Sequence, residues 1–446
     1  MELDMTKGKP SALIIKFIIP LVVGNIFQQL YNMVDTIIVG RFVGVQALAA
    51  VGATGTIMFL ILGFMQGLTT GFTVLTSQRF GAGDMEGMKK SVGTAALLSA
   101  GFTIVMTVIS VAGMTGLLRL MRTPEDIFEM ARTYIVIICI GMACTILYNL
   151  MASILRAVGN SRVPLFFLIV AAVMNIILDL VFVICFHMGV AGAAWATVIS
   201  QGLSGVLCIL YVAGRVEILK LERRHFSPDF HLMKVEVSVG FPMAIQFSIT
   251  AVGTIMVQVA LNMLGSVAVA AYTAASKVEQ LVTQPFAAMG MTMATYAGQN
   301  RGINAYDRIR RGTRCAVLLS TAYAILVFGV TMLLRHELIA LFVSEHLEEI
   351  EAYATIYLFL CGISYTLLGL IFIYRNVLQC CGFALIPTLG GVVELVSRAV
   401  VAVTAAYHQS FTGVCFANMS AWVTTSFFLW LSYVVIFRKV VKQGHF

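Results

Sequence analysis

The sequence predicts an all-α polytopic membrane protein, with twelve transmembrane helices arranged as two pseudo-symmetric six-helix bundles. Three observations predict it. The 446 residues are 59% hydrophobic and only 11% charged, against roughly 25% charged in an ordinary soluble domain. Apolar runs of about 20 residues or more, long enough to span a bilayer, recur along the whole chain. Stretches of the first half also reappear in the second at a nearly constant offset.

The first run, 12–40, is longer than the apolar core of a signal peptide and carries a polar face, so it is expected to stay as a helix. The second, 46–78, and third, 91–118, flank a charged loop that starts SQRFGAGD at Ser77. The fourth, 128–155, and fifth, 163–187, flank LRAVGNSRVP, and the sixth, 190–214, closes the first half. The seventh to twelfth follow at 236–263, 267–298, 312–334, 351–380, 385–408 and 411–437. The Gln78 loop matches the loop at Gln299, LRAVGNSRVP matches LQCCGFALIP from Leu378, and Pro20 matches Pro242, at offsets of 221 to 223. Residues 1–214 are therefore read as one six-helix lobe, 215–234 as a charged linker, and 235–446 as the second lobe. Because six is even, both halves enter the membrane in the same direction, and such repeats usually place a substrate cavity between lobes that rock. A transporter is favoured over a receptor or a structural protein.

The net charge of +8 does not imply nucleic acid, because of where the basic residues lie. With the N-terminus in the cytoplasm, 22 of the 29 Lys and Arg residues fall on the cytoplasmic side. This positive-inside bias places both termini there. The nine Cys residues sit in or beside helices with no CxxC, Walker A loop or HExxH helix, and are read as packing residues. No nucleophile and base pairing points to an enzyme, and no cofactor is expected.

The chemistry concentrates on the first helix, where Asn25, Gln28, Gln29, Asn32, Asp35 and Thr36 recur at helical spacing. That face is expected to turn away from lipid, since an intramembrane carboxylate is costly and marks a functional site. The fifth helix carries Asn175 and Asp179 at i, i+4. At about 1.5 Å per residue, Asp35 lies ~9 Å, Tyr134 ~10 Å, and Asp179 and Thr197 ~12 Å below the outer surface. Four helices thus bring oxygen-bearing side chains to one layer. A proton shared by the acids, or Na⁺ held by Asp35, Asn175, Asp179 and Thr197, would each suit it. The second half has Val257 (or Met256) and Ala402 where the first has its acids. Its own charges, Lys277, Glu279, Glu394 and Arg398, fall at ~12–18 Å depth and read as a buried, neutral ion-pair network in preference to a proton or substrate path.

Together these residues resemble the MATE family, the multidrug and toxic compound extrusion transporters of the flippase superfamily. The resemblance spans nearly the whole chain. It is carried by PLVVGNIFQQLYNMVDTIIVGR with Pro20, Tyr31 and Asp35, by RAVGNSRVP, by the stretch from Asn175 through Asp179 to GAAWATVISQ, and by the paired Gln78 and Gln299 loops. It implies two six-helix bundles around a central cleft and export of organic cations or amphipathic toxins in antiport with H⁺ or Na⁺, by alternating access. It implies a cation site at Asp35, Asn175, Asp179 and Thr197, hydrogen-bonding support from Tyr31, Asn32 and Tyr134, and a bend of the first helix at Pro20. Gln246 stands where the NorM-like branch carries a seventh-helix Glu, and the tenth helix has no Asp, so the pattern is closer to the DinF-like branch. The expected partners are small amphipathic or cationic substrates and the lipid bilayer, with no nucleic acid, in a protein expected to work as a monomer. The alternative within the superfamily is a flippase for a lipid-linked precursor.

Overall fold

The computed structural model describes residues 3–121, 123–341 and 347–443, and among these there is no strand. In order, α1 (Pro10–Ile38) ends in a π-helical turn, Val39–Val43, and is followed by α2 (Val45–Ala82) and α3 (Met85–Leu120). Next come α4 (Glu125–Ile140), α5 (Met142–Ala157) and α6 (Arg162–Asp179), which runs into a second π-helical turn, Leu180–Cys185, before α7 (Gly189–Arg215). The second half holds α8 (Phe230–Asn262), α9 (Ser266–Val282), α10 (Gln284–Gly302), α11 (Tyr306–Leu333) and the short α12 (Arg335–Ala340). It closes with α13 (Leu347–Ile363), α14 (Tyr365–Cys380), α15 (Leu385–Tyr407) and α16 (Phe411–Gln443).

Nine helices among the described residues are long and apolar enough to cross a membrane, and two bent pairs raise the number to 11. Large apolar side chains on their surfaces are exposed, Ile104, Val108, Leu318 and Ile325 each by more than 60%, a surface that suits hydrocarbon better than water. Three predicted spans that read as continuous are broken. The fourth bends by 48° at Gly141 and the tenth by 47° at Ser364. At Gly141 an added Cβ would collide with Val198 of α7, so the bend lies where two helices meet most closely. The eighth splits at Thr283 into α9 and α10 because Pro285, in the first turn of α10, offers no amide to the preceding turn. The bends at Gly141 and Ser364 recur at the repeat offset, as do Pro20 and Pro242, each inside an unbroken helix.

The chain folds as two compact units whose boundary differs from the sequence-based one. Unit 1 is Met1–Asp4 with Ile19–Ser248, and unit 2 is Met5–Ile18 with Ile249–Phe446. The linker and the first half of α8 join unit 1 because specific contacts hold them there. His225 bridges the Glu222 amide at 2.8 Å and the Glu86 carboxylate at 3.2 Å, and Ser91 donates to the buried Glu236 at 2.9 Å. Lys90 reaches Asp229 at 2.6 Å, and that hydrogen bond holds the Asp229 carboxyl below the usual carboxylate range. Glycines let α2 and α8 meet backbone to backbone: a Cβ on Gly67 would sit 2.7 Å from Ala244 Cα and 2.8 Å from its amide nitrogen. Backbone cannot rotate away as a side chain can. Gly67→Ala is therefore expected to cost ~1–3 kcal/mol, read as a lower melting temperature and a smaller monodisperse peak on size exclusion.

In unit 2 the N-terminal segment is held by the second repeat loop. The Met5 amide donates to Gln299 Oε1 at 2.8 Å, and its carbonyl accepts from Asn300 and Arg308, both at 3.1 Å. Met5 is completely buried as a result. Tyr296, Tyr357 and Tyr365 are the largest fully buried side chains of this unit.

Candidate cation site

The inward stripe of α1 runs through Leu21, Gly24, Asp35 and Ile38, all buried, at spacings of three, eleven and three, which return to one helix face. Tyr31, one turn before Asp35, falls on the same side and is half-buried, near Gln201 and Thr197 of α7. The predicted polar stripe does not stay together. Gln28, Asn32 and Thr36 are exposed, and the Thr36 hydroxyl donates to the Asn32 carbonyl at 2.8 Å. Successive residues turn by ~100° about a helix, so Tyr31 and Asn32 flank Asp35 on opposite sides and only one of them can face the bundle. Asn32, expected as a supporting residue, is exposed and stands outside this cluster, whereas Gln201 on α7, 6% exposed, lies near Tyr31.

Asp35 on α1 and Asp179 at the end of α6 bring their carboxyl groups close enough to interact with each other. Asp179 and Asn175 are fully buried and Asp35 is 9% exposed. Asn175 donates to the Thr197 hydroxyl at 3.5 Å, and that hydroxyl donates to the Ala193 carbonyl at 3.1 Å. The Tyr134 ring, 3% exposed, lies close enough to feel both acids. Asp35 Oδ1, both Asp179 oxygens and Asn175 Oδ1 are shut off from solvent with no hydrogen-bond partner, and among the described residues no Lys, Arg or His forms an ion pair with either acid. Buried acceptors without donors are rare in native proteins. The set is rich in hard oxygen atoms and short of positive charge, which is what a proton or an alkali cation supplies.

Both acids stand next to π-helical turns, Val39–Val43 after Asp35 and Leu180–Cys185 after Asp179. Such widened turns are frequent at functional sites. Val39 and Val183 from these turns pack with Tyr134, Val190 and Ala193 in one apolar cluster beside the acids, keeping water off them.

Unit 2 has no matching acid layer: Val257 and Ala402 are both buried at the corresponding positions. Its charge cluster departs from the sequence-based reading in two residues. Lys277 is exposed on α9, not buried, because its neighbours Val278 and Glu279 take the inward positions of that turn. Arg375, one of the 22 basic residues that the topology count placed on the cytoplasmic side, lies on α14 with a side chain only 14% exposed. It donates to Glu394 Oε2 at 2.9 Å, while Arg398 donates to Oε1 at 2.8 Å. Glu279 accepts a hydrogen bond from Tyr357, whose hydroxyl, with that of Tyr272, accepts from Asn418 at 3.3 Å. Arg375 pairs with a residue 19 positions away on another helix, a relation no helical spacing reveals.

The profile of the family described as MatE matches this chain twice, over 20–181 and 242–404. The probable multidrug resistance protein YoeA of Bacillus subtilis is 30% identical over 392 residues, 86% of this chain and 84% of its own. YpnP of the same organism, also named a probable multidrug resistance protein, is 28% identical over 383 residues, covering 85% and 84%. A solved structure described as the outward-facing conformation of a multidrug resistance MATE family transporter of the MOP superfamily superposes with a TM-score of 0.92 at 21% identity, over 98% of both chains.

Proposed function

This chain belongs to the MatE family, and on that premise we propose that it is a secondary active multidrug exporter, driven by antiport of H⁺ or Na⁺ through the acid pair Asp35 and Asp179. The observation that carries this reading is the meeting of two buried carboxyl groups, from separate helices, with no positively charged partner among the described residues. Two adjacent carboxylates in a low-dielectric site repel each other and lack solvation, so one positive charge relieves both costs. A proton taken by one carboxyl gives the other a donor; Na⁺ would take its oxygens from Asp35, Asn175, Asp179 and Thr197.

Cation entry from outside then neutralises the layer, and the neutral state differs from the charged one in how well it tolerates dehydration. That difference is what lets a cation bias an alternating-access equilibrium. Pro20 is the weak point of α1: its missing amide leaves the preceding turn without a hydrogen bond, 15 residues or ~22 Å along the helix from Asp35. A bend there would pass the change at Asp35 along α1. The relatives named as multidrug resistance proteins support amphipathic toxins as cargo.

Uptake of a fluorescent organic cation into inverted vesicles, with either a pH gradient or a Na⁺ gradient imposed, tests the proposal. One gradient alone is expected to drive uptake, and it identifies the coupling ion. Equal uptake with neither gradient would remove the antiport reading.

A further inference from the structure

We propose that a cavity within unit 2, independent of the acid pair, is a binding site for a small zwitterion carrying one carboxylate and one ammonium group. The cavity measures about 210 Å³ and is lined by Glu279, Arg375, Glu394 and Arg398, with apolar wall from Phe372 and Trp422. The four charges sum to zero, yet they are not paired evenly. Both guanidinium groups bind the one Glu394 carboxylate, at 2.9 and 2.8 Å. That end of the cavity therefore keeps one positive charge in excess. Glu279 has no cation within ion-pairing distance among the described residues; Arg398 acts on it only through space, and its hydrogen bond comes from the neutral Tyr357 hydroxyl.

A second observation marks the positive end as open to a ligand. Arg398 is only 6% exposed, and its Nε, buried, has no hydrogen-bond partner. A network that served only to hold helices together would satisfy that donor and fill the space with side chains. Gly253 of α8 holds the guanidinium in place by being small: a Cβ there would meet Arg398 Nη1 at 2.8 Å.

The two ends, which act on each other without direct contact, select the ligand. A simple anion would bind Arg398 but cancel the positive charge that acts on Glu279; a simple cation would pair Glu279 but meet the excess positive charge. A molecule with both groups pairs each end at once. The volume lies below the ~300–1,000 Å³ typical of drug-sized pockets, so the ligand is of amino-acid size or is the zwitterionic end of a larger compound. Trp422 and Phe372 suit an aromatic or aliphatic spacer between the charges.

Calorimetric titration of the purified full-length protein tests this with three probes of one skeleton. Para-aminomethylbenzoate carries both charges, para-toluate only the carboxylate and benzylamine only the ammonium. The zwitterion is expected to bind about tenfold or more tightly than either single-charge probe, the size of one charged hydrogen bond. Glu279→Gln, which keeps shape and the Tyr357 hydrogen bond, should reduce that advantage over para-toluate to about nothing. Gly253→Ala, which keeps every charge but displaces the guanidinium, should weaken the zwitterion with a melting temperature near that of the native protein. Equal affinity for all three probes, preference for a single-charge probe, no saturable zwitterion binding at millimolar concentration, or native affinity in both variants would each overturn the proposal. Because the readout is binding and not transport, failure here leaves the Asp35 and Asp179 reading standing.

Discussion

Asp179→Asn, and separately Asp35→Asn, should bring drug resistance of expressing cells down to that of the empty vector while leaving the amount of folded protein unchanged. Asn matches the size of Asp and still hydrogen-bonds, so packing around the fully buried residue 179 survives. What disappears is the negative charge that takes up a proton or ligates Na⁺. Charged hydrogen bonds contribute ~1.5–3 kcal/mol, so cation binding should weaken by about tenfold or more in each variant. Stability should move the other way. Each substitution removes one of two like charges that have no ion-pairing partner among the described residues, and the Asn amide can donate to the carboxylate that remains. Melting temperatures equal to or above that of the unmodified protein are therefore expected. Growth on a toxic cation, quantitative membrane blots and thermal melts together read all three effects. Undiminished resistance in both single variants would remove the acid pair from the mechanism.

Glu394→Gln should produce the largest loss of stability. The carboxylate is 9% exposed and stands between Arg375 and Arg398. Without its charge, two guanidinium groups are left facing each other inside unit 2. Removing one partner from a buried pair costs ~3–5 kcal/mol, because the other charge stays desolvated without compensation. A lower melting temperature and reduced yield are expected, and adding Arg375→Met to Glu394→Gln should recover part of the loss by removing one stranded charge. Lys277→Ala gives the contrast: its side chain is exposed on α9, so a change within about 0.5 kcal/mol is expected. If Lys277→Ala destabilised as much as Glu394→Gln, the assignment of Arg375 in place of Lys277 to this network would fail.

Much of this was legible in the sequence because it rests on local properties. Length, low charge and apolar runs suffice for membrane helices. The duplication shows in the matched loops at Gln78 and Gln299, and it reappears in the paired bends at Gly141 and Ser364. Depth also follows from counting residues, since a helix rises by a fixed amount per residue, and the structure brings Asp35, Asp179, Asn175, Thr197 and Tyr134 into one neighbourhood. Sequence reasoning missed Gln201 and Glu236, both buried polar residues on helices whose other positions gave no hint of which side faces inward.

By itself, then, the sequence determined that the chain is a duplicated helical membrane protein and which helices carry acids at which height. Only the tertiary structure decided which way each helix is turned: Tyr31 inward and Asn32 outward beside Asp35, Lys277 outward and Arg375 inward beside Glu394, and the first half of α8 packed with unit 1. The physical reason is that rotation about a helix axis is set by contacts with distant parts of the chain. Closely approaching backbones at Gly67 and Ala244, or a guanidinium seated against Gly253, fix that rotation, and no local periodicity encodes such meetings.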